Sequence, residues 1–173
     1  MLEMMVVVAI VGILAALAVV NLTALNITAK INGEATVIAQ MIRVTRMQAI
    51  STGCAHVFRY RGKGFIGTDP GTITVYRKAL ATCTVANPND LLFAAGDLVV
   101  NTYQLSDNLL ATAGTDLATR SIELGFNANG TTWQGENGAA WPLTPITVTG
   151  FRDSERNYSR TVVFLGGANV SVQ

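Results

Sequence analysis

A chain of 173 residues that is 50% hydrophobic and only 13% charged has room for one membrane-crossing helix and one domain of ordinary size. Twelve Lys and Arg balance eleven Asp and Glu at a net +1, so no whole-molecule field steers it towards nucleic acid or acidic partners. Two cysteines exclude a disulfide-built fold; with a single histidine, His56, and no Cys-x-x-Cys pair they argue against a metal site, and no cofactor is expected.

The chain opens on Glu3, then runs without a charge to Lys30. Residues 4–22 are apolar all round, and about 20 such residues at ~1.5 Å rise span a bilayer core of roughly 30 Å. A carboxylate at the end of such a run is unfavourable unless something pairs with it. The flank is acidic and no Lys or Arg precedes the run, so it departs from a secretory signal, and retention is expected. Beyond it, Ile31, Ala35, Ile38, Ile42, Thr45 and Ala49 recur at three-to-four spacing, with Lys30, Glu34, Gln40, Arg43 and Met47 placed mostly elsewhere on the wheel. Ser51-Thr52-Gly53 supplies the stop. One helix over residues 2–51 would be ~75 Å long, apolar in its first half and amphipathic in its second.

After Gly53 the pattern becomes that of strands. Residues 55–61 and 72–78 are aromatic and β-branched and suit a hairpin across the turn Gly62-Lys63-Gly64. Residues 86–90 read as a loop, 97–104 as a strand and 106–116 as irregular. Strands are then expected over 121–126, 145–149, 160–165 and 169–172, with turns at 127–130 and at Gly166-Gly167. The fold class is therefore α+β: a long N-terminal helix packed on an antiparallel sheet domain. Three parts follow, 1–28 as the apolar half of the helix, 29–52 as its amphipathic half and 53–173 as the β domain.

The run Leu2-Glu3-Met4-Met5-Val6-Val7-Val8-Ala9-Ile10-Val11-Gly12-Ile13-Leu14-Ala15-Ala16-Leu17-Ala18-Val19 closely resembles the N-terminal helix of type IV pilins and type II secretion pseudopilins. In that family a prepilin peptidase cuts after a glycine, the new N-terminal residue is methylated, and a glutamate stands at the fifth mature position. The resemblance implies that Glu3 is that glutamate, with two mature residues and a leader before Met1. It further implies that Glu3 pairs with the amino terminus of a neighbouring subunit, and that Val6, Ile10, Gly12, Ile13 and Leu17 lie in helix-on-helix assembly contacts. Val20 stands where many members have proline, so a straighter helix is expected.

Arg43-Val44-Thr45-Arg46-Met47-Gln48-Ala49-Ile50, residues 122–131 and residues 160–172 are similar to segments of FimT/GspH-like minor pilins. The implied function is a non-enzymatic pilin-like subunit with other pilins, the inner membrane and assembly platform, and the prepilin peptidase as partners. It would sit in the bacterial inner membrane with its β domain in the periplasm, then enter a filament. Two alternatives are a major filament-forming pilin and a tip module that binds DNA or another surface ligand. Some FimT-like proteins bind DNA through a basic turn in the last hairpin. Here that turn is Gly166-Gly167-Ala168-Asn169, without arginine, and nearby Arg152, Arg156 and Arg160 are interleaved with Asp153 and Glu155. DNA is thus a disfavoured partner.

Arg59, Arg61 and Lys63 beside Phe58 and Tyr60 are expected on one solvated strand face, and His56 on the surface or partly buried. Cys54 and Cys83 flank the expected hairpin near its open end. One structural bridge outside the cytoplasm is the natural reading, two buried thiols the alternative.

Overall fold

The structure, a computed structural model, describes the backbone of residues 2–61, 71–79, 83–105, 109–113, 121–136, 139–140, 146–151, 157–165 and 169–173. Among the described residues one continuous helix, α1 (Leu2–Thr52), is followed by ten strands: β1 (His56–Arg61), β2 (Thr72–Arg77), β3 (Leu98–Gln104), β4 (Leu109–Ala113), β5 (Ser121–Phe126), β6 (Thr132–Glu136), β7 (Ala139–Ala140), β8 (Ile146–Phe151), β9 (Asn157–Leu165) and β10 (Asn169–Val172). They form two antiparallel sheets, ordered β3-β2-β1-β5-β6-β7 and β10-β9-β8-β4.

The helix joins the two sheets. Its buried face is Ile31, Ala35, Ile38, Ala39, Ile42, Thr45 and Ala49, the stripe that a 3.6-residue period brings to one side. It packs on β1 and β5 of the larger sheet and on β8, β9 and β10 of the smaller one. Phe58, Tyr60, Ile73, Val75, Ile122, Leu124 and Phe126 meet it from the larger sheet, and Val162 and Val170 from the smaller. Two arginines add polar ties to the small sheet. Arg43 donates to the Val170 carbonyl at 2.7 Å, and Arg160 Nε donates to Asn32 Oδ1 at 2.8 Å. At the helix end Gly53 takes φ +67°, the left-handed conformation that lets the chain leave sideways into β1.

The sequence expectations of one helix and an antiparallel β domain match this α+β architecture. Residues 106–116, expected to be irregular, contain β4, which pairs with β8 from Leu109↔Gly150 to Ala113↔Ile146. Strand β6 and the short β7 were also not expected. Thr132-Trp133-Gln134-Gly135-Glu136 carries a single large apolar residue, too weak a period-two signal to read alone. Glu34, placed on the polar side of the wheel, is buried at the helix–sheet boundary and accepts from the Tyr103 hydroxyl at 2.9 Å.

The N-terminal part of α1 lies beyond these contacts. Met4, Met5, Val6, Val7, Val8, Ile10, Val11, Ile13 and Leu14 are all exposed. Among the described residues no helix is long and apolar enough to cross a membrane. The part read as the apolar, membrane-crossing half of the helix, 1–28, includes residues 1–3, 17–24 and 27, whose side chains lie outside the described set.

Candidate functional site

Two regions carry features beyond simple core packing: the projecting helix and the outer face of the larger sheet. On the helix, Val6, Ile10, Gly12 and Ile13 lie on exposed backbone and side-chain surface, and a Cβ added at Gly12 would meet nothing within 4 Å. The side chains of Glu3 and Leu17 are outside the described set. So are Arg152 and Arg156 altogether; of the three arginines read as a basic group, only Arg160 is described, and its guanidinium is committed to Asn32.

The outer face of the larger sheet is covered by the segment 83–97. Strand alternation sends Phe58 and Tyr60 to the helix and Val57 and Arg59 to this other side. The segment begins at a disulfide between Cys54 and Cys83, whose Cα atoms are 4.5 Å apart. Ala55 N–H bonds the Cys83 carbonyl at 2.7 Å, and Lys78 N–H bonds the Ala55 carbonyl at 2.9 Å, so the bridge sits at the open end of the β1–β2 hairpin. Cys83 itself adopts φ +52°, an uncommon conformation for a residue with a side chain. A short 3₁₀ turn (Pro88–Leu91) follows, capped reciprocally by Asn87 and Asp90. It drops Leu91 onto Gly125, where a Cβ would collide with the Leu91 Cδ2, so glycine seats the buried leucine without a shift.

Beneath this cover lies a charged interior that departs from the expected solvated face. Arg59 is buried, not solvated, because 83–97 closes over it. Its Nε lies 3.3 Å from Glu123 Oε1, and Glu123 is fully buried on the neighbouring strand, as the register Arg59↔Glu123 dictates. Ser121 Oγ donates to the same carboxylate. The guanidinium stacks 5.2 Å from the Tyr76 ring centre and 5.9 Å from that of Phe93, which meets Tyr76 edge-on. Tyr76 donates its hydroxyl to the Leu91 carbonyl. Arg61 is half-buried, and Lys63 lies outside the described residues. His56 is buried rather than superficial; its Nδ1 is 2.9 Å from the Cys54 carbonyl. Burial pushes its pKa below the ordinary value against that carbonyl's pull upward, with Arg77 adding to the fall.

A second ion pair fastens the far end of the cover. Lys78 Nζ lies 2.6 Å from Asp97 Oδ2 and 2.8 Å from the Leu92 carbonyl, with both side chains of the pair 2% exposed. Asp97 also accepts from Ala79 N–H at 3.0 Å and Ala94 N–H at 2.9 Å. Burial is the largest single influence on Asp97 and favours its neutral form. The Lys78 bond, the two backbone bonds and the Lys78 charge together outweigh it, and the carboxyl titrates below its ordinary value. A depressed carboxylate pKa stabilises above its unfolded value, roughly 3.9, and that stabilisation is lost as pH falls through the folded value. Asp97→Asn is therefore expected to lower stability by about 1.5–3 kcal/mol at neutral pH, the range for a hydrogen bond to a charged group. Denaturant titrations of both proteins should converge as pH drops below that carboxylate range; a constant difference would refute this account.

This charged interior is paired within itself, Arg59 with Glu123 and Lys78 with Asp97, beneath the covering segment. Among the described residues no group of three His, Cys, Asp or Glu side chains gathers as a metal site requires. Sequence alone concealed this pairing because Arg59 and Glu123 lie on two strands and 64 residues apart.

No family model and no curated protein matches this chain. Among solved structures it is similar to the Pseudomonas aeruginosa type IV minor pilin FimU in two crystal forms. One, in space group P21, gives a TM-score of 0.48 at 14% identity, covering 84% of this chain and 89% of that one. The other, in P65, gives 0.45 at 15% identity, covering 82% and 91%.

Proposed function

We propose that this chain is a structural subunit of the type IV pilin and pseudopilin superfamily, of the FimT/GspH-like minor kind, and not an enzyme. The observation that carries the reading is the division of α1. One face of its second half is buried by two sheets, while residues 4–14 present an all-round exposed apolar surface. Such a surface needs lipid or other helices. The pilin-like run from Leu2 to Val19 supports the same reading.

In this proposal residues 1–28 lie in the inner membrane before assembly and in the filament core afterwards. Residues 29–52 carry the β domain, 53–173, which faces the periplasm and then the filament surface. Val6, Ile10, Gly12, Ile13 and Leu17 pack against neighbouring subunits, and Glu3 docks the amino terminus of one of them, which offsets its charge in an apolar bundle and fixes axial register. A prepilin peptidase, N-terminal methylation and an assembly platform belong to the same scheme. DNA binding is not favoured in this reading, since the turn Gly166-Gly167-Ala168-Asn169 carries no arginine.

Replacing Glu3→Ala tests the reading in cells that assemble the filament. The variant is expected to reach the inner membrane in normal amount and to be lost from purified filaments. Incorporation at the unchanged level would overturn the docking role.

A further inference from the structure

On the outer face of the larger sheet, away from the helix, an open cleft of ≈ 350 Å³ lies beside Trp133. We infer that this cleft is a binding subsite for a neutral saccharide, with the Trp133 ring as its platform and the Asn129 amide on its polar rim. The volume falls within the range of small-molecule sites, roughly 300–1,000 Å³. The lining residues are aliphatic, aromatic, amide or hydroxyl, and none carries a charge.

The site is built rather than accidental. Asn127 is buried and fully engaged: its Oδ1 accepts from Val85 N–H at 2.8 Å, and its Nδ2 donates to the Val85 carbonyl and to Thr131 Oγ1, both at 2.9 Å. It ties the strand end before the turn to the covering segment, and so fixes both walls. Asn129 Oδ1 accepts from Thr131 N–H at 3.0 Å and its hydroxyl at 2.7 Å. That leaves the exposed amide end of Asn129 with two protons to donate. Trp133 is half-buried, packed against the cluster of Ala55, Val57, Tyr76, Val85 and Leu91.

The chemistry selects the ligand class. An ionic ligand finds no counter-charge among the lining residues, and a purely apolar one would desolvate the amide and hydroxyl rim without return. A pyranose offers what both parts require. One of its faces presents C–H bonds to the electron-rich indole, and its hydroxyls meet the rim. The inference goes beyond the assembly reading, and its failure would leave that reading untouched.

The test uses the full chain in a zwitterionic detergent without a sugar headgroup, carrying Trp141→Phe so that Trp133 is the sole indole. Methyl α-glucoside, lactose and N,N′-diacetylchitobiose are titrated while Trp133 emission is followed. At least one is expected to give a saturable change that is insensitive to about 0.5 M salt, because no charge pair is involved. Asn129→Ala is expected to weaken it by roughly fivefold, the size of one neutral hydrogen bond. Absence of a saturable change with all three sugars, or an affinity unmoved by Asn129→Ala, overturns the proposal.

Discussion

Glu123→Ala is expected to destabilise the fold by about 3–5 kcal/mol, because it leaves the Arg59 guanidinium buried without its counter-charge. Glu123 is fully buried and Arg59 nearly so, and the covering segment gives the arginine no route to solvent without opening. The guanidinium also lies 5.2 Å from the Tyr76 ring centre and 5.9 Å from that of Phe93, contacts that do not replace a counter-charge. Arg59→Met removes the opposite member and is expected to be similarly damaging, since it strands the carboxylate. The double variant Arg59→Met/Glu123→Leu should recover much of the loss, as apolar replacements of a buried pair often do. Equilibrium urea unfolding of the four proteins closes the cycle. Additive effects would mean that the two groups do not interact and that the 3.3 Å approach contributes nothing.

Removing the Cys54–Cys83 bridge is the second large effect. With 29 residues of separation, the chain-entropy model assigns about 3–4 kcal/mol to the constraint it places on the unfolded chain. The bridge also secures the first residue of the cover, whose closure shields the Arg59–Glu123 pair. Cys54→Ala/Cys83→Ala is therefore expected to lower the unfolding midpoint substantially and to make 83–97 the first segment cut by protease. Equal midpoints for the oxidised protein and the variant would sink the stapling role.

What could be read in the chain followed the reach of each signal. The helix was legible because a charge-free run and a 3.6-residue stripe are local and redundant over many turns. Strands β1, β2 and β5 declared themselves through aromatic and β-branched residues. The burial of Arg59 did not, because alternation along β1 suggests a solvated face until a distant segment closes over it. Glu34 misled for the same reason: its partner Tyr103 lies 69 residues away. Strand β4 was hidden among Leu-Leu-Ala-Thr-Ala, residues whose pairing with β8 is decided by tertiary context. The Trp133 cleft depends on the turn at 127–130 meeting Val85, a junction to which no short motif points.

The split character of α1 has a mechanical meaning. If its apolar end is held in a filament, tension along the fibre enters the β domain first through the stretch from Ile31 to Ala49, ~28 Å of helix at 1.5 Å per residue, ahead of the covalent link at Gly53. The load is then divided between two sheets that, among the described residues, share no strand pairing, with Arg43 and Arg160 acting as polar rivets on the smaller one. Such a joint must yield at many contacts before the load passes to that link and β1, and neither sheet has to unfold for the helix to carry force.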